Sequence, residues 1–247
     1  MNKRILIMGA TSGLGRGVAE RFIADGWTVG VAGRNRQALE SLQGLAPDRV
    51  FTGAIDIMSE SAPKEMLELV TRMGGIDIYL HCSGILRADD ESMPIADEVL
   101  TAETNAVGFT RMVGTAYKYF ETSGRKGRLV AISSIAGIRG LESLPAYSAS
   151  KAYDSTLLEA LRQRSRRDGL GLKIVDIKPG WTRTPLLNSG RKYLLEMDAE
   201  RVIKSVYKAT LYARRSVTIG LRWKILTALE RLVPAWIYER LHLNLWK

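Results

Sequence analysis

A chain of 247 residues, 46% of them hydrophobic, is long enough to bury one large core, and one domain is expected. Cys82 is the single cysteine, which excludes an intrachain disulfide, and two histidines, His81 and His242, supply no ligand cluster for a transition metal. The net charge of +10 is compatible with nucleic acid, an anionic lipid surface or a cofactor carrying several phosphates, so its distribution has to decide.

The first apolar run starts directly after Arg4, which leaves no room for the regions of a signal peptide. The expected start of the mature protein is therefore Met1 and the expected compartment the cytoplasm. Arg4 to Met8 is followed by glycines and then by the helical pattern Val18, Phe22, Ile23. The alternation returns through Thr28 to Ala32, Val50 to Ile55, Ile76 to His81, Arg128 to Ile132, Lys173 to Ile177 and Val217 to Ile219. Seven strands separated by amphipathic segments predict an α/β fold: a doubly wound, Rossmann-type parallel sheet with helices on both faces. No repeat at solenoid spacing and no low-complexity linker interrupts it.

The first strand runs into Gly9-Ala10-Thr11-Ser12-Gly13-Leu14-Gly15, which opens a helix. Glycines there let the backbone turn tightly against a diphosphate, and free amides at the helix start take up its charge. The spacing is GxxxGxG, so the general GxGxxG fingerprint is not matched literally. After the second strand, Gly33 and Arg34 stand where an acidic residue would accept hydrogen bonds from the ribose of NAD. A guanidinium at Arg34 suits a ribose 2′-phosphate instead, and NADP(H) is the expected cofactor.

Farther on come Tyr147-Ser148-Ala149-Ser150-Lys151, with Ser134 thirteen positions before the tyrosine. Residues four apart share a helix face. A phenol with a reference pKa of about 10 exchanges protons poorly at neutral pH. A lysine ammonium beside it favours the phenolate, making Tyr147 a general acid or base. With the glycine turn at its head, the chain resembles the classical short-chain dehydrogenase/reductase family, whose motifs read TGxxxGxG and YxxxK, here in the common YSASK form. Met8 stands where the family's threonine is usual.

The resemblance runs to about Gly220 and implies hydride transfer between nicotinamide and a ketone or secondary alcohol. It implies Tyr147 as proton carrier, Lys151 as its partner, Ser134 as hydrogen-bond donor to the substrate oxygen, and Asn105 as holder of a water that links the lysine to solvent. It implies cofactor contacts from Gly9, Thr11, Ser12, Gly13, Leu14, Gly15 and Arg34, from Asp56 and Ile57 at the adenine, and from Gly84, Tyr147 and Lys151. Lys178-Pro179-Gly180-Trp181-Thr182-Arg183-Thr184 resembles the family's PGxxxT segment and adds Pro179, Gly180, Thr182 and Thr184 at the nicotinamide and phosphates. His81-Cys82-Ser83-Gly84 replaces the usual NNAG, so only Gly84 carries over, and His81 reads as a packed substitute for asparagine rather than a base. Pro185 to Met197 is expected to be an apolar substrate loop, with Arg183, Arg191 and Lys192 either meeting an anionic group or facing solvent.

Residues 1–220 are thus read as the catalytic unit and 221–247 as a basic amphipathic extension of it. From Arg214 onward seven basic residues face two acidic ones, which is half of the net charge. Leu221, Ile225, Leu226, Leu229, Leu232 and Val233 follow helical spacing among Arg222, Lys224 and Arg231, and Trp236, Ile237, Leu241 and Leu245 continue after Pro234. Two readings stand. With Trp223, Trp236 and Trp246 the segment lies on an anionic membrane surface, placing the protein peripherally at the inner membrane and favouring a lipid-like substrate. Alternatively it covers the active site or packs on another subunit. Relatives in the family form homodimers or homotetramers through two long helices, here those containing Thr101 and Tyr147. No dedicated nucleic-acid motif is present, and no nucleic-acid partner is expected. The rival to an enzyme is a non-catalytic NADP-binding sensor on the same fold, which would not need Ser134, Tyr147 and Lys151 together.

Overall fold

The computed structural model describes residues 3–87, 93–187 and 193–241. Arg191, Lys192, His242, Leu245 and Trp246 lie outside the described residues. β1 (Arg4–Met8) is apolar on both faces because both are covered: Ile5 and Ile7 enter one core layer, Leu6 and Met8 the other. It pairs in parallel with β2 (Thr28–Gly33) on one side and β4 (Ile78–His81) on the other. β3 (Val50–Ala54), β5 (Arg128–Ile132), β6 (Lys173–Lys178) and β7 (Ser216–Thr218) complete a seven-stranded, all-parallel sheet in the order β3-β2-β1-β4-β5-β6-β7. The expected Rossmann-type architecture is observed, with every strand in its expected place.

One layer packs α1 (Gly13–Ala24), α2 (Arg36–Gln43) and α7 (Ala199–Tyr212) on the sheet through Val18, Phe22, Leu39, Leu42, Val202 and Val206. The opposite layer packs α3 (Ala62–Arg72), α5 (Phe109–Ser123) and α6 (Pro145–Arg167) through Met66, Leu69, Phe109, Met112, Phe120 and Leu158. Each fully buried side chain of this kind contributes about 1.5–3 kcal/mol, so the two layers dominate the stability of the sheet. α4 (Ile95–Ala102) leads into α5 through a π-helical turn, Glu103–Gly108, that contains Asn105; such turns recur at functional sites.

The strand order reverses between β1 and β4, and there the connections leave to opposite faces of the sheet. A crevice must open at the carboxyl ends of those strands, where α/β sheets of this kind bind ligands. After β7 the chain continues as α8 (Leu221–Leu232) and α9 (Ala235–Tyr238). Among the described residues no helix is long and apolar enough to cross a membrane.

Candidate active site

The crevice is a continuous cleft lined by Gly9, Thr11, Ser12, Gly13, Leu14 and Gly15, by Gly33 and Arg34, by Asp56 and Ile57, by Gly84, by Ser134, Tyr147 and Lys151, and by Pro179, Gly180, Thr182 and Thr184. Of the site residues expected from sequence, only Asn105 is not on its wall. Its neighbour Thr104 is.

At the head of the cleft Gly9 has a φ of +87° and Gly13 one of +52°. A Cβ on Gly15 would stand 2.1 Å from the carbonyl oxygen of Gly9, so the turn closes only without a side chain there. Ser12 stands at the N-cap position of α1 with no side-chain capping bond, and the first turn carries no acidic residue. The first amides of α1 therefore keep their donors for an anion. The tight turn and the uncapped amides fit a nucleotide diphosphate.

Asp56 follows β3, and its Oδ1 accepts the amide of Met58 at 3.1 Å, a local turn that fixes the carboxylate at the cleft edge. Asn35 caps α2 by accepting from the amide of Ala38 at 3.0 Å, which fixes the chain just after Arg34.

At the other end of the cleft, Ser134 begins the short turn Ile135–Gly137 and its Oγ accepts from the amide of Ala136 at 3.1 Å. Its hydroxyl faces Tyr147 closely enough to favour the phenolate. Tyr147 and Lys151 are both buried on α6, with the lysine Nζ 5.9 Å from the centre of the tyrosine ring. Burial raises the phenol above its ordinary value; Lys151 and Ser134 pull it down, and Asp154 and Tyr193 push it up again. The lysine pull expected from the YxxxK spacing is present but outweighed. Burial opposes the charge on Lys151, yet Asp154 and Tyr147 more than offset this, so its ammonium is held above the usual range.

Asn105 sits behind the cleft. Its Oδ1 accepts from the amide of Ile85 at 2.8 Å, while its Nδ2 donates to the Ile85 carbonyl at 2.8 Å and to Ser150 Oγ at 3.2 Å. The side-chain amide is thus occupied in pinning the loop after β4, which carries Gly84, to α6. His81 is fully buried, with Nδ1 2.9 Å from Tyr79 Oη and its ring edge-on to Phe109. Burial, followed by the nearby Lys151, brings it down to about 3, so it is a neutral packing residue. Cys82 is also kept protonated, chiefly by burial.

The Pro179-to-Thr184 turn is fixed from outside. Thr182 Oγ1 donates to the carbonyl of Gly180 at 2.8 Å, and Met197 returns to bond Trp181 and Arg183, closing the ends of the substrate loop. Arg183 pairs with Glu196 at 2.7 Å with its side chain 84% exposed, which is the solvent-facing one of its two expected placements. An apolar wall joins Tyr147 to Ile135, Leu144, Trp181 and Tyr193, the last two rings stacked at 5.0 Å.

Four side chains at the site escaped the sequence reading. Trp223 on α8 lies in the same apolar cluster and packs so closely that a Cβ on Gly180 would be 2.1 Å from its Nε1. It therefore faces inward against the site, as the covering alternative for this segment expects, and does not join Trp236 on an outer face. Asp154 on α6, and Asp176 and Lys178 on β6, form buried charge pairs behind the site. A charged pair at alternate positions of an otherwise apolar strand was the available signal for the last two.

The "short chain dehydrogenase" family model matches residues 3–194. The chain is 30% identical over 215 residues to an uncharacterized oxidoreductase of Mycobacterium tuberculosis, covering 84% of each protein. Its fold is similar to that of a short-chain dehydrogenase from Burkholderia cenocepacia in complex with NADP, with a TM-score of 0.78 and 19% identity over 94% of this chain and 98% of that one. It is likewise similar to a 3-ketoacyl-(acyl-carrier-protein) reductase from Brucella melitensis complexed with NADH, with a TM-score of 0.75 and 20% identity over 88% and 96%. The chain belongs to the short-chain dehydrogenase family of oxidoreductases, which use a nicotinamide cofactor to interconvert carbonyl and alcohol groups of small molecules.

Proposed function

We propose that the protein is an NADP(H)-dependent reductase of a hydrophobic ketone, working reversibly on the corresponding secondary alcohol at an anionic membrane surface. The observation that carries this reading is the convergence of Ser134, Tyr147 and Lys151 on one wall of a cleft whose far end presents Arg34.

The turn from Gly9 to Gly15 would hold the diphosphate, Asp56 and Ile57 the adenine, and Gly84, Pro179, Gly180, Thr182 and Thr184 the nicotinamide half. Arg34 would grip the 2′-phosphate. A side chain at Gly33 would meet Thr11, its Cβ lying 2.8 Å from the threonine Cγ2, so the acid that would select NAD has no ready place. When bound, the reduced nicotinamide supplies the hydride. Tyr147 Oη gives its proton to the carbonyl oxygen, and the Ser134 hydroxyl bonds that oxygen as negative charge grows on it. Lys151 keeps positive charge beside the phenol, and Asn105 holds the Gly84 loop in register with α6. Ile135, Leu144, Trp181 and Tyr193 exclude water and favour an apolar substrate body.

Selectivity for NADP is tested by Arg34→Asp. Loss of a charge-assisted contact to the 2′-phosphate should weaken NADPH binding by about ten- to a hundredfold and leave NADH binding nearly unchanged. Equal effects on both in isothermal titration would remove the assignment.

The membrane assignment rests on how α8 is seated. It docks through Trp223 and Thr227, both buried, which turns the apolar stripe of Leu221, Ile225, Leu229 and Leu232 to the outside at 55–78% exposure. Arg222 flanks that stripe on one side and Lys224 and Arg231 on the other, while Trp236 on α9 adds an exposed ring. An outward apolar row between cations fits an anionic lipid interface. Residues 221–247 would then be an interfacial extension of the catalytic unit formed by 1–220. The full chain should co-sediment with phosphatidylglycerol vesicles and not with phosphatidylcholine vesicles, and Ile225→Glu with Leu229→Glu should abolish this. No sedimentation of the unsubstituted protein would refute it.

Val107 and Tyr153 expose 53% and 42% of their surface on the α5–α6 side. They offer an apolar face through which a second copy would pair, giving a homodimer or homotetramer.

A further inference from the structure

Lys151 and Asp154 lie three residues apart on α6, so they share a face. The lysine Nζ donates to Asp154 Oδ2 at 2.9 Å, with the two side chains 6% and 0% exposed. The second oxygen, Oδ1, is buried with no hydrogen-bond partner among the described residues. Burying a carboxylate for one bond is costly, and an apolar residue of similar size often serves stability as well or better. A role in the chemistry would account for the aspartate.

Other charged groups face this pair, and none replaces it. On β6, Asp176 and Lys178 bond each other and neutralise one another, tied to Ser133 after β5 and, through the lysine, to Ser155 on α6. From β4, His81 is neutral and the Cys82 thiol is kept protonated. Tyr193 faces Tyr147 from the substrate loop. Asp154 is thus the carboxylate that directly pairs with the ammonium of Lys151.

We propose that Asp154 is a positioning residue for the reaction: it holds the ammonium of Lys151, offsets the charge the lysine presents to Tyr147, and keeps Tyr147 a proton donor, so that the site is poised for carbonyl reduction. This rests on the reductase reading above and adds a working direction to it. The carboxyl of Asp154 is pushed up to about 6 by burial, against the pull of Lys151, and is therefore ionised at neutral pH. The equilibrium between ketone and alcohol is untouched; what changes is the pH at which each direction finds Tyr147 in the right state. Reduction needs the phenol and oxidation the phenolate, and the charge of Asp154 favours the first.

The test reads Tyr147 directly in the full chain without cofactor, by tyrosine ¹³Cζ NMR with the resonance assigned through Tyr147→Phe. In the unsubstituted protein the Tyr147 phenol should be less than half ionised at pH 10, where an ordinary tyrosine is about half ionised. Asp154→Asn should lower its midpoint by about one pH unit or more, and the alkaline limb of ketone reduction should move down with it. A midpoint in Asp154→Asn that is unchanged or raised would overturn the proposal, as would a Tyr147 in the unsubstituted protein already half ionised below pH 10. The second criterion decides the matter even if Asp154→Asn does not fold. Because the NMR readout needs no turnover, its failure is separable from a failure of the reductase reading, which absent NADPH oxidation would show.

Discussion

Tyr147→Phe should lower ketone-dependent NADPH oxidation by about 10² to 10⁴-fold while leaving NADPH affinity and thermal stability near those of the unsubstituted protein. The ring is what packs with Ile135, Trp181 and Tyr193, and phenylalanine keeps it. The exchangeable proton is what is lost. Ser134 has no comparable acidity, and its Oγ already accepts from the amide of Ala136. Lys151 is engaged with Asp154. Single-turnover kinetics separates this from a binding defect: the rate of the hydride step should collapse with the Kd unchanged. Retained turnover would assign the proton to another group.

Gly15→Ala should have an effect of similar size on binding. The added carbon would stand 2.1 Å from the Gly9 carbonyl oxygen and 2.9 Å from the Gly9 carbonyl carbon. Gly9 has no room to retreat on its other side, since its own Cβ position is 2.6 Å from the amide nitrogen of Ser83. The backbone of the turn must therefore spread, moving the α1 amides away from the diphosphate. A loss of about 100-fold or more in NADPH affinity is expected, equivalent to roughly 3 kcal/mol, with a lowered Tm from overpacking of about 1–3 kcal/mol. Calorimetric titration and a melting curve measure both. Affinity close to that of the unsubstituted protein would mean that the diphosphate does not lie on this turn.

The fold was legible because a parallel strand covered on both faces has to be apolar at successive positions, as Ile5 to Met8 are, with helical periods between such runs. The cleft was legible because turns that approach a diphosphate need glycine, and because Tyr147 and Lys151 stand one helical turn apart. Other features had a signal without a direction. An apolar stripe on residues 221, 225, 229 and 232 is periodic whichever way it faces, and only the docking of Trp223 against Gly180 shows that it points outward. Asp154 three residues after Lys151 reads in sequence as an ordinary solvated helix pair; its meaning comes from burial, which spacing does not encode. Asn105 reads as a plain helix residue until the π-helical turn aims its amide at Ile85.

The structure also qualifies the view of Tyr147 that its motif suggests. The lysine one turn away would by itself draw the phenol toward ionisation, yet burial and Asp154 act the other way. Tyr147 is thus set among apolar groups, and through Trp223 these adjoin the helix that carries the outward apolar row.

The most direct test of this account is to follow NADPH absorbance with the purified full chain and a panel of hydrophobic ketones at neutral pH, with NADH in parallel. Ketone-dependent oxidation of NADPH, much faster than that of NADH, is the predicted result. Tight binding of NADPH without turnover across the panel would contradict it and leave a nucleotide sensor in place of the enzyme.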